Sequence, residues 1–327
     1  MAQLNSAFSS CIGLQELFGP LSPDLVALQL SCGSLQGRLR SFHLGALRIN
    51  LLESNQSLFL SGTRRPKPCT VAVPLNELDA GSAYRAQGVP VQWAGMIGYN
   101  RHLTDFDLRI PAGARIATVV IGKEILDEKI KERSNSELIL ERWGKTNQLE
   151  LKAPLRNKLI QQIKHQLQQN NGWKPEEPDH VIESILDAFE ERETQTTPIG
   201  KRESRHEAAI ELLHWCSKNA ARTATVEQLS DELFQSRTSL FKGAKEHFDR
   251  SPLELQRSVR MDRIRQLLQE PERRTAMGLK SVGDCATAMG YNSRSHLEGQ
   301  RPRFCYTCGA RADTTNKGKE KHVSAIN

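Results

Sequence analysis

The feature that most constrains this chain of 327 residues is a repeat in its carboxy-terminal third, at an offset of 56 to 57 residues. In the first copy Thr225 precedes Val226, Leu229 and Leu233; in the second, Ser281 precedes Val282, Cys285 and Met289 at the same spacing. Apolar side chains so spaced share one helix face, and a hydroxyl just ahead of them accepts the free amides of a first turn. Each copy then turns into a second helix, opened by Gln235-Ser236-Arg237-Thr238-Ser239-Leu240 in one and Asn292-Ser293-Arg294-Ser295-His296-Leu297 in the other. The offset grows by one residue across the turn, where a loop tolerates an insertion.

Short helix, tight turn, second helix is the layout of a helix-turn-helix. The second helix of such a unit offers its amino-terminal side chains to base edges in the DNA major groove. Arg237, Thr238, Phe241 and Lys242 are therefore expected to face outward in the first copy, with Leu240 turned inward. Arg294, Ser295 and His296 are expected outward in the second, with Leu297 inward. Between the copies, Ser251-Pro252 opens a long helix carrying Leu255, Val259, Ile264, Leu267 and Leu268. A stiff connector would fix the separation of two readers, which on one DNA face is roughly 34 Å. Packed helices with capped starts are the plainer reading of either copy alone. Two copies in register weigh against it.

Charge agrees with the repeat. Residues 201–327 hold 23 Lys and Arg against 16 Asp and Glu, whereas residues 1–200 hold 22 of each. All of the net +7 thus falls in the segment with the repeat, the electrostatic footprint of a nucleic-acid binder. Taken alone the split is a weak sign, since ordinary basic domains share it.

The rest of the chain divides by pattern into an α+β protein. Residues 1–36 read as an amino-terminal arm. Residues 37–123 read as a small β-rich, sensor-like domain for an effector or for dimerisation. Runs such as Leu47-Arg48-Ile49-Asn50-Leu51, Val71-Ala72-Val73 and Ala117-Thr118-Val119-Val120-Ile121 suit a small sheet, sandwich or barrel. Residues 124–200 read as a helical connector and linker, with Leu155, Leu159, Ile160, Ile163 and Leu167 on one face. The stretch around Thr196-Thr197-Pro198-Ile199-Gly200 looks like an interdomain linker. Residues 201–303 read as an all-α DNA-binding domain, and 304–327, without periodicity, as a flexible tail.

The repeat region resembles the AraC/XylS family of bacterial transcription regulators. The match runs through Thr225-Val226-Glu227-Gln228-Leu229-Ser230, Ser236-Arg237-Thr238-Ser239-Leu240, Lys245-Glu246-His247-Phe248, Ser251-Pro252 and Arg260-Met261. It continues through Ser281-Val282-Gly283-Asp284-Cys285-Ala286-Thr287, Met289-Gly290-Tyr291 and Ser293-Arg294-Ser295-His296-Leu297. The resemblance covers about residues 205–298. It implies a seven-helix domain with two recognition helices joined by a long one, double-stranded DNA as partner, and an amino-terminal domain that binds a small-molecule effector or makes a homodimer. Phe234 stands where the family generally has Gly, which takes a positive φ cheaply. Ala244 replaces a large core residue, with a cavity as one consequence. After Leu297 the pattern fails, and Pro302 falls where a helix interior is expected. The family's closing Phe-Gly-x-x-Pro signature is missing, and Phe304-Cys305-Tyr306-Thr307-Cys308-Gly309 stands there instead. A diverged second unit and a reading-frame change near Glu298 to Arg303 are both open explanations. Either makes the second unit the weaker reader.

Other constellations carry less. Cys305 and Cys308 have the spacing of half a zinc site, but a structural site needs four ligands and no second pair follows. Trp93, Tyr99, His102, Phe106 and Arg109 are candidates for an effector pocket, with core packing the plainer reading. Asp105 and Asp107 read as surface charges, and Thr63-Arg64-Arg65-Pro66-Lys67-Pro68 as a solvated basic turn. No phosphate loop, paired catalytic carboxylates or nucleophile motif is visible, so neither an enzyme nor a bound cofactor or metal is expected. No apolar run is long enough to cross a bilayer and no secretory signal is seen. Seven scattered cysteines suit the reducing cytoplasm. A ligand-binding or interaction protein with a decayed DNA-binding domain is the alternative function.

Overall fold

The computed structural model describes residues 3–19, 22–45, 47–64, 69–78, 84–91, 95–168 and 177–291. The chain opens with strand β1 (Gln3–Phe8), helix α1 (Cys11–Phe18), and strands β2 (Val26–Gln29), β3 (Gly37–Leu44), β4 (Leu47–Ser54), β5 (Leu58–Thr63) and β6 (Cys69–Pro74). Then come β7 (Tyr84–Ala86), β8 (Val89–Val91), β9 (Gly95–Ile97), β10 (Asp105–Ile110) and β11 (Arg115–Ile121). Helices α2 (Lys123–Lys131) and α3 (Ser136–Lys145), strand β12 (Thr146–Glu150), helices α4 (Ala153–Gln168) and α5 (Glu177–Glu190) and strand β13 (Thr196–Pro198) follow. Six helices complete the described chain: α6 (Ser204–Lys218), α7 (Val226–Leu233), α8 (Arg237–Phe248), α9 (Pro252–Gln269), α10 (Pro271–Ala276) and α11 (Val282–Ala288).

The strands form an eight-stranded sheet, in the order β1-β3-β4-β11-β6-β9-β12-β13, and a five-stranded sheet, β2-β5-β10-β7-β8. Every pairing is antiparallel. Period-two alternation assigns each face. Leu39, Leu52, Ala72, Ile97 and Ile116 of the larger sheet meet Ala27, Leu58, Leu60 and Ile110 of the smaller in one core. On the other face of the larger sheet, Ile49, Leu51, Val71, Val73, Val119 and Ile121 pack against Leu126, Ile139, Trp143, Leu159, Ile163, Ile182 and Phe189 of α2 to α5. On the other face of the smaller sheet, Val26, Leu28 and Phe59 pack with Leu212, Leu213, Leu240, Phe248 and Leu255 of the carboxy-terminal helices. The layers run helices, sheet, sheet, helices. Burial on both faces explains the unbroken apolar runs Leu58-Phe59-Leu60 and Val71-Ala72-Val73, whose residues alternate between two cores.

Two segments differ from their sequence reading. Within residues 1–36, read as an arm, β1 pairs with β3 and β2 with β5, so both sheets draw on this segment. Within the connector, β12 pairs with β9 and β13 with β12, extending the larger sheet. The backbone amides of these short strands find partners distant in sequence, which local pattern does not report.

Candidate nucleic-acid interface

Local chemistry sets the first helical unit. Thr225 caps α7 with its hydroxyl on the Gln228 amide, while the Gln228 side chain returns to the Thr225 amide. Ser236 caps α8 on the Ser239 amide at 3.0 Å. Between the helices Phe234 adopts φ 53° and ψ 33°, the left-handed conformation that closes a helix. Its ring is 94% exposed, so no packing offsets the strain. The repeat partner of Phe234, Gly290, has φ 77°. The turn demands a positive φ in both copies, and only the second supplies glycine for it.

Helix α8 divides cleanly by face. Leu240, Gly243, Ala244 and Phe248 are buried, while Arg237, Thr238, Phe241, Lys242 and Lys245 are exposed. The buried side meets α6 at close range, because a Cβ on Gly243 would lie 2.0 Å from the Arg205 carbonyl oxygen. That approach suits small side chains: Ala244 sits in the same cluster as Ala208 and Ala209. On the exposed side Arg237 pairs with Glu227 of α7 at 3.0 Å. The amide of Glu227 itself, the Thr225 hydroxyl and Arg237 together hold the Glu227 carboxyl below the usual carboxylate range.

Helix α9 starts with Pro252 in its first turn and a Ser251–Glu254 capping box. Its 18 residues make a rod about 27 Å long. Gln256 braces it against the first unit, accepting from the Ala224 amide and donating to the Ala224 carbonyl, each at 3.0 Å. At its far end Ile264 and Leu267 join Cys285, Ala286, Met289 and Tyr291 in a separate small core. Ser281 caps α11 in a box with Asp284, as Thr225 does with Gln228. Tyr291, at the point where the repeat offset grows, is buried with the Arg260 guanidinium 5.6 Å from its ring centre. Arg294, Ser295, His296, Leu297, Pro302, Cys305 and Cys308 lie outside the described residues, as does the predicted seventh helix.

A second feature lies between the two sheets, a cavity of about 150 Å³. Leu60, Phe106, Leu108 and Ile116 form apolar wall, and Arg48, Arg64, Gln87 and Asp107 edge it. Arg64 donates to the Asn100 carbonyl at 2.9 Å, and burial lowers its pKa. Of the residues proposed for an effector pocket, Phe106 lines this cavity. Tyr99 instead packs edge-on to Phe189 in the core under the helices, with its hydroxyl 2.7 Å from Thr146. His102 is exposed, and Trp93 lies outside the described residues. Arg109 stands on the opposite face of β10, where burial and Arg85 lower its pKa.

That opposite face of β10 touches the helical domain. Asp107, expected at the surface, is buried; Arg202 Nε donates to it at 2.9 Å, and His206 Nε2 lies 3.5 Å away. Its partners lie about a hundred residues further on, beyond the reach of local pattern. Arg202 also contacts Gln87, a buried residue held at φ 53°. The His206 ring stacks on His247 of α8 at 4.1 Å. Burial, then His206, push the His247 pKa down to about 4.

No protein-family model matches the sequence. No curated protein matches it either. Among solved structures, the AraC-like transcriptional activator CuxR is similar over 83% of this chain and 96% of its own, at 14% identity and a TM-score of 0.42. ToxT from Vibrio cholerae is similar over 91% of this chain and 92% of its own, at 11% identity and a TM-score of 0.27. An unsaturated fatty acid-bound ToxT gives 12% identity, 91% and 89% coverage and a TM-score of 0.27. Likenesses this loose leave function to be argued from the residues. Among the described residues, no helix is long and apolar enough to cross a membrane, and no group of three or more His, Cys, Asp or Glu is placed to hold a metal ion.

Proposed function

We propose that this chain is a sequence-specific DNA-binding regulator of transcription of the AraC/XylS type, reading DNA mainly through its first helix-turn-helix. One observation carries the reading: α8 buries Leu240, Ala244 and Phe248 and leaves Arg237, Thr238, Phe241 and Lys242 together on a free face. Lys and Arg contacts to phosphate hold register, and the outward side chains read base edges. The second reader, with Arg294, Ser295 and His296, adds the weaker share. Residues 201–303 act as the DNA-binding domain, residues 37–123 as the sensor, and the molecule works as a homodimer in the cytoplasm, with no catalytic role.

The cavity between the sheets takes a compact, largely apolar effector. Strand β10 links that effector to DNA, because Phe106 and Leu108 line the cavity while Asp107 holds Arg202 and faces His206. Measuring affinity for duplex DNA against salt concentration tests the reading. A steep fall of log K with log salt is expected. A flat dependence would favour a ligand-binding protein with a decayed DNA-binding domain. Lys242→Ala should weaken binding more than His296→Ala, and the reverse order would count against the first unit as main reader.

A further inference from the structure

Six large apolar side chains are more than a third exposed among the described residues; Phe234 and Phe241 fall within the first helical unit and Leu253 at the start of α9 beside it. Single exposed apolar residues are ordinary; a cluster on one functional face is not. Phe241 is 46% exposed and Leu253 39%. Together with Val226, Thr225, Glu227 and Arg237 they line one open groove beside the amino-terminal half of α8. The core does not call for a Phe at 241, since Leu240, Ala244 and Phe248 already fill the buried side. Arg237 is restrained by Glu227 at 3.0 Å, one helical turn before Phe241.

We propose that Phe241 reads a thymine, its ring packing on the C5-methyl group in the major groove. This rests on the DNA-binding reading above and specifies which base the site recognises. Among the base edges in that groove, the thymine methyl is the apolar group, and a Phe ring is one of the side chains suited to it. Four residues advance a helix axis by about 6 Å, under two base-pair rises, so this thymine lies within about two pairs of the base nearest Arg237. Leu253 and Val226 line the same groove as Phe241, so an apolar surface continues beside the ring.

The test uses the full-length protein. Preferred duplexes are first recovered from a random-sequence pool, and each thymine is then replaced singly by deoxyuridine, which removes only the methyl group. At one position the replacement should weaken binding about fourfold, the worth of one buried methyl. Phe241→Ala should bind thymine and uracil duplexes equally, while Phe241→Leu should keep part of the difference. The proposal fails if no replacement changes affinity, or if Phe241→Ala still loses affinity at the same thymine. Phe241→Ala binding as tightly as the parent, with the same methyl preference, would assign the groove to a protein partner and overturn it. If no duplex is enriched at all, the DNA-binding reading falls, and this proposal with it.

Discussion

The two helical units share their local signals and differ in what supports them. Both open on a capping box, Thr225 with Gln228 and Ser281 with Asp284, and both turn through a positive φ, at Phe234 and Gly290. The first unit shares one apolar cluster with Val26, Leu28 and Phe59 of the five-stranded sheet. The second has a small core of its own, drawn from α9, α11 and the residues beside them. Its ties to the amino-terminal part are polar instead. Asp262 of α9 accepts from the Cys11 and Ile12 amides at 3.2 and 3.0 Å, and Glu16 of α1 meets Gln266 and Arg273. The same short motif is thus a rigid part of a four-layer body in one place and a tethered appendage in the other. Helices of seven or eight residues hold little stability of their own, so tertiary cover decides.

The largest expected effect breaks that contrast at its centre. Leu240→Ala should destabilise the protein by about 2–5 kcal/mol, because a fully buried side chain leaves a cavity in the shared cluster. Met289→Ala removes similar bulk from the small core. Hydrogen exchange should then show Leu240→Ala loosening α6, α8 and β5 together, and Met289→Ala loosening only α11 and the end of α9. Equal spread from both would erase the distinction. Next in size, Asp262→Ala removes a half-buried carboxylate that accepts from two amides, a loss of about 1–3 kcal/mol, since its desolvation offsets part of what the bonds give. Exchange should rise at the first turn of α1 and leave α8 unchanged.

Acid should separate the units as well. His247 keeps a pKa of about 4 where an unfolded histidine has about 6.5, so between those values the unfolded chain binds the extra proton. Stability is therefore whole above pH 6.5 and falls as pH drops towards 4. The groups facing His247 are His206, Glu246, Asp107 and Arg85. No histidine lies between His247 and His296, so exchange across α9 to α11 lacks this source of acid sensitivity. His247→Gln should flatten the loss at α8; an unchanged pH profile would remove His247 as its cause.

What was legible in the sequence follows the range of the physics. Caps are local, and Thr225, Ser236, Ser251 and Ser281 all cap where their hydroxyls stand ahead of an apolar period. The outward and inward sides of α8 follow from the same period. Strand pairing is not local: Thr196-Thr197-Pro198, read as linker, closes an edge of the larger sheet on β12. Nor does Asp107 look buried until Arg202 and His206 arrive from the other domain. The charge footprint was also coarser than it looked. Residues 301–327 carry 6 Lys and Arg against 2 Asp and Glu, whereas residues 201–300 carry 17 against 14. More than half of the excess thus lies after residue 300, with +2 of it in residues 304–327, so salt dependence should be compared with and without residues 304–327.

The smallest effect is the most direct comparison of the two turns. Phe234 holds φ 53° with its ring almost wholly in solvent, and Gly290 holds φ 77° at the equivalent place. A left-handed conformation costs an L-residue roughly 1–2 kcal/mol, part of which a glycine gives back through its greater freedom when unfolded. Phe234→Gly should therefore stabilise the first unit, by less than about 1 kcal/mol. Gly290→Ala should do the opposite to the second, since its Cβ would also lie 3.0 Å from the Ala221 carbonyl oxygen. Denaturant midpoints of the two variants read the two signs. A loss of stability in Phe234→Gly would mean that the exposed ring makes a stabilising contact in solution, and the turn could no longer be treated as the same strained joint in both copies.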